Sequence, residues 1–137
     1  MSARVFVYGT LKRGFTNHPL LERAMALGAA RTCESWPLVI AGDWFVPCLL
    51  ERPGQGHRVR GELYAVDAAT LAALDALEGV GEPDGYDRRP IAGEREPGGE
   101  RLRGVQVYFK REPLGALHSG WLEEYDDDRY VEPSHRD

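Results

Sequence analysis

The stretch from Arg4 to Gly14, R-V-F-V-Y-G-T-L-K-R-G, constrains this chain most. Val5, Phe6, Val7 and Tyr8 are an unbroken run of β-branched and aromatic residues, the composition of a buried strand. Gly9 ends the run abruptly, and Thr10 to Gly14 form a turn at its end. A glycine at that point lets the main chain come close to a neighbour, because no Cβ blocks the approach. Successive N–H groups of such a turn can face one concavity and hold an anion or a polarised carbonyl oxygen. The plainer reading of the same residues is a first strand followed by a glycine-bounded turn.

What surrounds this stretch excludes several classes of protein. The 137 residues are enough for about one ordinary domain with a real core, and the expectation is a single domain over 1–137. Sixteen glycines and nine prolines point to many turns and short strands. A net charge of −5 provides no basic stripe to neutralise phosphates, so no nucleic-acid partner is expected. No apolar run approaches the roughly 18 residues of a membrane span, and no signal-peptide pattern opens the chain. Cys33 and Cys48 match no metal spacing, which suits reduced thiols in a cytoplasmic protein.

Taken in order, Asn17-His18-Pro19 leads into Leu20 to Leu27, whose loose apolar stripe predicts a helix stopped by Gly28. Arg31 to Glu34, Trp36 to Ile40 and Val46 to Leu50 read as strands, with Pro47 marking an edge or a bulge. Val59 to Val66 is a further strand in which Gly61 marks a close approach. Asp67 sits where an N-cap is wanted, and Asp67 to Glu78 is the clearest helix. A turn-rich loop, Gly79 to Gly85, precedes an extended Tyr86 to Ile91. Val105 to Phe109 is the best late strand, Leu114 to Glu124 is a candidate last helix, and the charged tail from about residue 126 is irregular. The sum is an α+β fold: a small, mostly antiparallel β-barrel of five or six strands flanked by two or three helices.

The helix carries the second informative feature. At about 100° per residue, Leu71, Leu74 and Leu77 sweep out one apolar arc, and Glu78 falls inside it. Asp75 falls just outside and reads as an exposed residue. An inward carboxylate is costly unless it is hydrogen-bonded, paired with a cation or placed in a cleft. Burial would raise its pKa toward the range useful for proton transfer at neutral pH. The plain alternative is a carboxylate at a frayed helix end that bends out to water. Other constellations are weaker. The glycines at 9 and 14 have phosphate-loop spacing, but Phe15-Thr16 replaces the required Lys-Ser/Thr. The four histidines show no ligand spacing, and Ser119 has no nucleophile elbow.

Together these features resemble the gamma-glutamyl cyclotransferase-like superfamily, and within it the gamma-glutamylamine cyclotransferases. The likeness is carried by Val7-Tyr8-Gly9-Thr10-Leu11-Lys12-Arg13-Gly14 with Asn17-His18, by Pro37 to Gly42, and by Pro47 with Leu49-Leu50. It continues through Pro53 to Gly56, Gly61 to Asp67, Leu74 to Glu78, and the Tyr-x-Arg of Tyr86 and Arg88. It spans roughly residues 4 to 91; beyond that only Arg129-Tyr130 suggests a match, and the 79–85 loop follows no family pattern. The resemblance implies a small β-barrel and a reaction without metal or cofactor. In it, the α-amino group of a γ-glutamyl unit attacks its own γ-carbonyl, closing 5-oxoproline and expelling an amine. It implies Glu78 as the general acid/base, and Tyr8, Gly9, Thr10, Leu11 and Tyr86 as substrate-binding residues. The expected partner is therefore a small γ-glutamyl substrate, with no membrane and no protein partner inferred. The alternatives are a cyclotransferase for another γ-glutamyl compound and a non-catalytic small-molecule binding domain.

Overall fold

In the computed structural model, residues 2–136 are described. Strands β1 (Ser2–Val7), β2 (Met25–Trp36), β5 (His57–Asp67), β6 (Tyr86–Arg95) and β7 (Arg101–Lys110) close a barrel in the order β1-β5-β2-β6-β7. Every pairing is antiparallel except β1 with β7, which are parallel and meet at Val5 and Gln106. Strands β3 (Leu38–Ala41) and β4 (Val46–Leu49) form a separate two-stranded hairpin. The only α-helix among the described residues, α1 (Ala68–Leu77), follows β5 directly.

Side chains alternate across a strand, so the run at β1 serves two cores. Phe6 and Tyr8 point into the barrel with Trp36, Leu63, Val107 and Phe109. Val5 and Val7 point outward into a second cluster with Leu21, Tyr64, Val66, Leu74 and Tyr108. That two-sided burial is why the strand shows no polar alternation. Gly61, opposite, is needed for space: a Cβ there would lie 2.3 Å from the Val7 carbonyl oxygen. Asp67 caps α1 by accepting a hydrogen bond from the Thr70 N–H at 2.8 Å.

Two expected helices are absent. Leu20 to Leu27 is a 3-10 turn over His18–Leu21, followed by the first residues of β2. Its stripe had no continuous face to bury. Leu21 is buried, Leu20 and Met25 are exposed, and Met25 and Ala26 pair with Ala65 and Tyr64 of β5 instead. β2 therefore starts six residues earlier than expected. Leu114 to Glu124 is an extended strap rather than a helix. Its His118 and Leu122 N–H groups donate to the Ile40 and Leu38 carbonyls, each at 2.8 Å, and Ala41 bridges to Leu117. The open edge of β3 needed partners, and this segment supplies them. The tail beyond residue 126 is irregular apart from a 3-10 turn at Pro133–His135. Among the described residues, no helix is long and apolar enough to cross a membrane.

Candidate active site

The end of β1 and the end of α1 meet at one cavity of about 550 Å³. Gly9 crosses the β4 strand closely enough that a Cβ would lie 2.5 Å from Pro47 Cγ. The turn beyond it is held by Lys12 N–H donating to the Gly9 carbonyl (3.0 Å) and Asn17 N–H donating to the Thr10 carbonyl (2.9 Å). The carbonyls of the bend are thus engaged. Among the described residues, the N–H groups of Gly9, Thr10 and Leu11 have no protein acceptor. An unsatisfied row of donors on a cavity wall is an anion-binding feature.

Glu78 lies one residue past the helix, still in helical conformation, with φ −82° and ψ −2°. Its N–H donates to the Leu74 carbonyl at 3.0 Å, and its carbonyl accepts from the Tyr86 N–H at 2.9 Å. These bonds extend the apolar arc by one position. The half-buried side chain lines the cavity together with Tyr8, Gly9, Thr10, Leu11 and Tyr86. The six residues singled out in the sequence therefore share one chamber. Burial pushes the Glu78 carboxyl up to about 7, and the nearby Lys110 ammonium pulls partly the other way. Burial likewise keeps Tyr8 and Tyr86 protonated, well above the usual phenol range. Their hydroxyls donate to the Tyr108 carbonyl (2.6 Å) and the Pro47 carbonyl (2.7 Å), so both rings are fixed in place.

Asp75 departs from expectation. It is half-buried rather than exposed, accepting from Arg88 Nε at 2.9 Å and from the Tyr108 hydroxyl at 2.7 Å. Arg88 also donates to Gln106 Oε1 at 2.8 Å, so the arginine of the Tyr-x-Arg motif braces α1 against the barrel. The 79–85 loop forms part of the cavity wall through Glu82, Asp84 and Gly85. The end of β7 and the residue after it pin that loop: Lys110 Nζ donates to the Asp84 carbonyl, and Arg111 Nη1 donates to the Glu82 carbonyl at 2.8 Å. Sequence reasoning missed Lys110, Tyr130 and Arg136 on the wall. Arg129-Tyr130 was the only signal for any of them. Among the described residues, no three His, Cys, Asp or Glu side chains are placed to share a metal ion. Both cysteines are free.

A small closed barrel, an added hairpin, and a half-buried carboxylate lining one cavity with a glycine bend fit a protein of the gamma-glutamyl cyclotransferase type. Residues 5–130 match the family described as gamma-glutamyl cyclotransferase, AIG2-like, and the chain belongs to that enzyme family. It is 42% identical over 133 residues to a bovine gamma-glutamylaminecyclotransferase, covering 90% of this chain and 76% of that one. It is 48% identical over 93 residues to a putative fruit-fly gamma-glutamylcyclotransferase, covering 64% of this chain. There the match spans only 58% of the relative's length. The crystal structure of a mouse AIG2-like protein superposes with a TM-score of 0.84 at 37% identity, over 98% of this chain and 99% of that one.

Proposed function

We propose that this chain is a gamma-glutamylamine cyclotransferase, releasing 5-oxoproline and a free amine, with Glu78 as its general acid/base. The observation that carries this reading is that the Glu78 carboxyl, its pKa raised by burial to about 7, lines the same cavity as Gly9, Thr10 and Leu11 with their unengaged N–H groups. The bovine relative's name supplies the reaction class.

The chemistry follows from proton inventories. A substrate α-ammonium has a pKa of about 8, so near neutral pH most of it cannot attack. Ionised Glu78 accepts one of its protons, and the freed amine attacks the γ-carbonyl carbon. The new C–N bond closes a five-membered ring, and the carbonyl π-electrons move onto oxygen. Nucleophile and carbonyl belong to one molecule, so folding the glutamyl unit into the ring-like conformer is most of the entropic task. The row of N–H donors from Gly9 to Leu11 receives the α-carboxylate and, in part, the oxyanion. Losing one such donor typically costs about a hundred- to a thousandfold in rate. Glu78 then returns its proton to the leaving nitrogen. The C–N bond to the amine breaks, the carbonyl re-forms, and the second proton of the ring nitrogen passes by way of the re-ionised Glu78 to the released amine, which departs as an ammonium.

Glu78→Gln keeps the size and hydrogen-bonding reach of the side chain but cannot exchange this proton. The expected result is a fold with unchanged circular dichroism and at least about a hundredfold loss of 5-oxoproline release. Wild-type turnover by that variant would remove Glu78 from the mechanism. A panel of γ-glutamyl-ε-lysine, γ-glutamyl dipeptides and glutathione identifies the amine.

A further inference from the structure

The C-terminal tail had no assigned role, yet it supplies a wall of the cavity through Tyr130, Pro133 and Arg136. It is fastened there at two points. The Val131 N–H donates to the Trp44 carbonyl at 3.0 Å, and Asn17 Nδ2 donates to the Tyr130 hydroxyl at 3.1 Å. Arg136 is held against both of them. Its Nε donates to the Val131 carbonyl at 2.9 Å, and its guanidinium carbon lies 5.6 Å from the ring centres of both Trp44 and Tyr130.

Two aromatic faces and one carbonyl fix the plane of the guanidinium and restrain its rotation. Among the described residues, no carboxylate lies within ion-pair distance of it. Arg129 is a useful contrast: its guanidinium is occupied by Asp127 at 2.8 Å, and it does not line the cavity. A half-buried, oriented arginine whose terminal nitrogens have no acid partner among the described residues matches a planar, doubly accepting anion.

We propose that Arg136 receives a carboxylate of the substrate, making the tail a specificity element of the chamber. This rests on the reading of the chamber as a γ-glutamyl site. Two sources of that carboxylate exist: the glutamyl α-carboxylate, and a carboxylate on the leaving amine when that amine is an amino acid.

The test measures binding by calorimetry to Glu78→Gln protein, so that it does not depend on turnover. Its ligands are γ-glutamyl-ε-lysine, γ-glutamyl-butylamine and 5-oxoproline. Adding Arg136→Gln is expected to weaken a carboxylate contact by about tenfold or more, with Arg136→Lys recovering part of it. Loss confined to γ-glutamyl-ε-lysine assigns the leaving half, whereas equal loss for all three ligands assigns the glutamyl carboxylate. Changes below twofold throughout would overturn the proposal. So would equal weakening in the Gln and Lys variants with a lowered melting temperature, because that pattern marks a purely structural side chain. No binding to the Glu78→Gln protein would sink both readings. Arg136-dependent binding with no turnover by the wild-type protein would sink only the cyclotransferase assignment.

Discussion

Glu78 sits under two opposing influences: the dry surroundings favour its neutral form, and Lys110 favours its charge. A base that must be ionised to accept a proton works only above its own pKa, so kcat/KM is expected to fall below about pH 7. Lys110→Gln removes the influence that favours the charge. The Glu78 pKa then rises, and the acid limb of the pH–rate profile moves to higher pH. Lys110→Arg, which keeps a cation on the same wall, is expected to hold the limb near its original position. An unmoved limb in Lys110→Gln would mean that the ammonium serves only to pin the Asp84 carbonyl and stack on Tyr86, whose ring centre is 5.3 Å away.

At the scale of elements, the site depends on how α1 is seated on the barrel. The capping bond at Asp67 starts the helix, Leu74 buries it, and Asp75 ties its last turn to Arg88 and Tyr108. Asp75→Ala leaves a half-buried guanidinium and a phenol without their acceptor, a loss of about 1–3 kcal/mol. Chemical denaturation should show that loss, and turnover should fall as well, because Glu78 is three residues further along the same helix end. The helical spacing of Leu71, Leu74 and Leu77 was enough to place Glu78 inward, since a helix phase is a local property. It could not reveal that Asp75 is braced, because Arg88 and Tyr108 reach it only through the closed barrel. For the same reason the Leu20–Leu27 stripe misled: pairing with β5 is a long-range gain that no local window contains. The β run at Val5 to Tyr8 and the bend at Gly9 were legible because sterics and burial act on neighbouring residues. Arg136 was not, since its aromatic neighbours Trp44 and Tyr130 are brought to it only by the tail's path.

Over the whole molecule, the turn after β1 is tied to a segment that follows β7. Lys12 is buried, and its Nζ donates to the Tyr125 carbonyl at 2.6 Å. Tyr125 is itself buried within the barrel's core, with its ring centre 5.3 Å from that of Phe15. Lys12→Met keeps much of the stem's packing but removes this tie. The expected outcome is loss of hydrogen-exchange protection at Arg60 and Val131, whose N–H groups bond to the Glu123 carbonyl and the Trp44 carbonyl, before the amides that pair β1 with β5 exchange. Uniform loss across the barrel would instead mean that Lys12 supports the fold as a whole.

The last barrel strand ends at Lys110, whereas Tyr130, Pro133 and Arg136 of the cavity wall all come later. A chain emerging from the ribosome therefore holds every barrel strand, together with Glu78 and the Gly9 bend, before the roof of its chamber has been made. Residues 130–136 therefore have an already synthesised surface to dock against, whatever follows them in the chain.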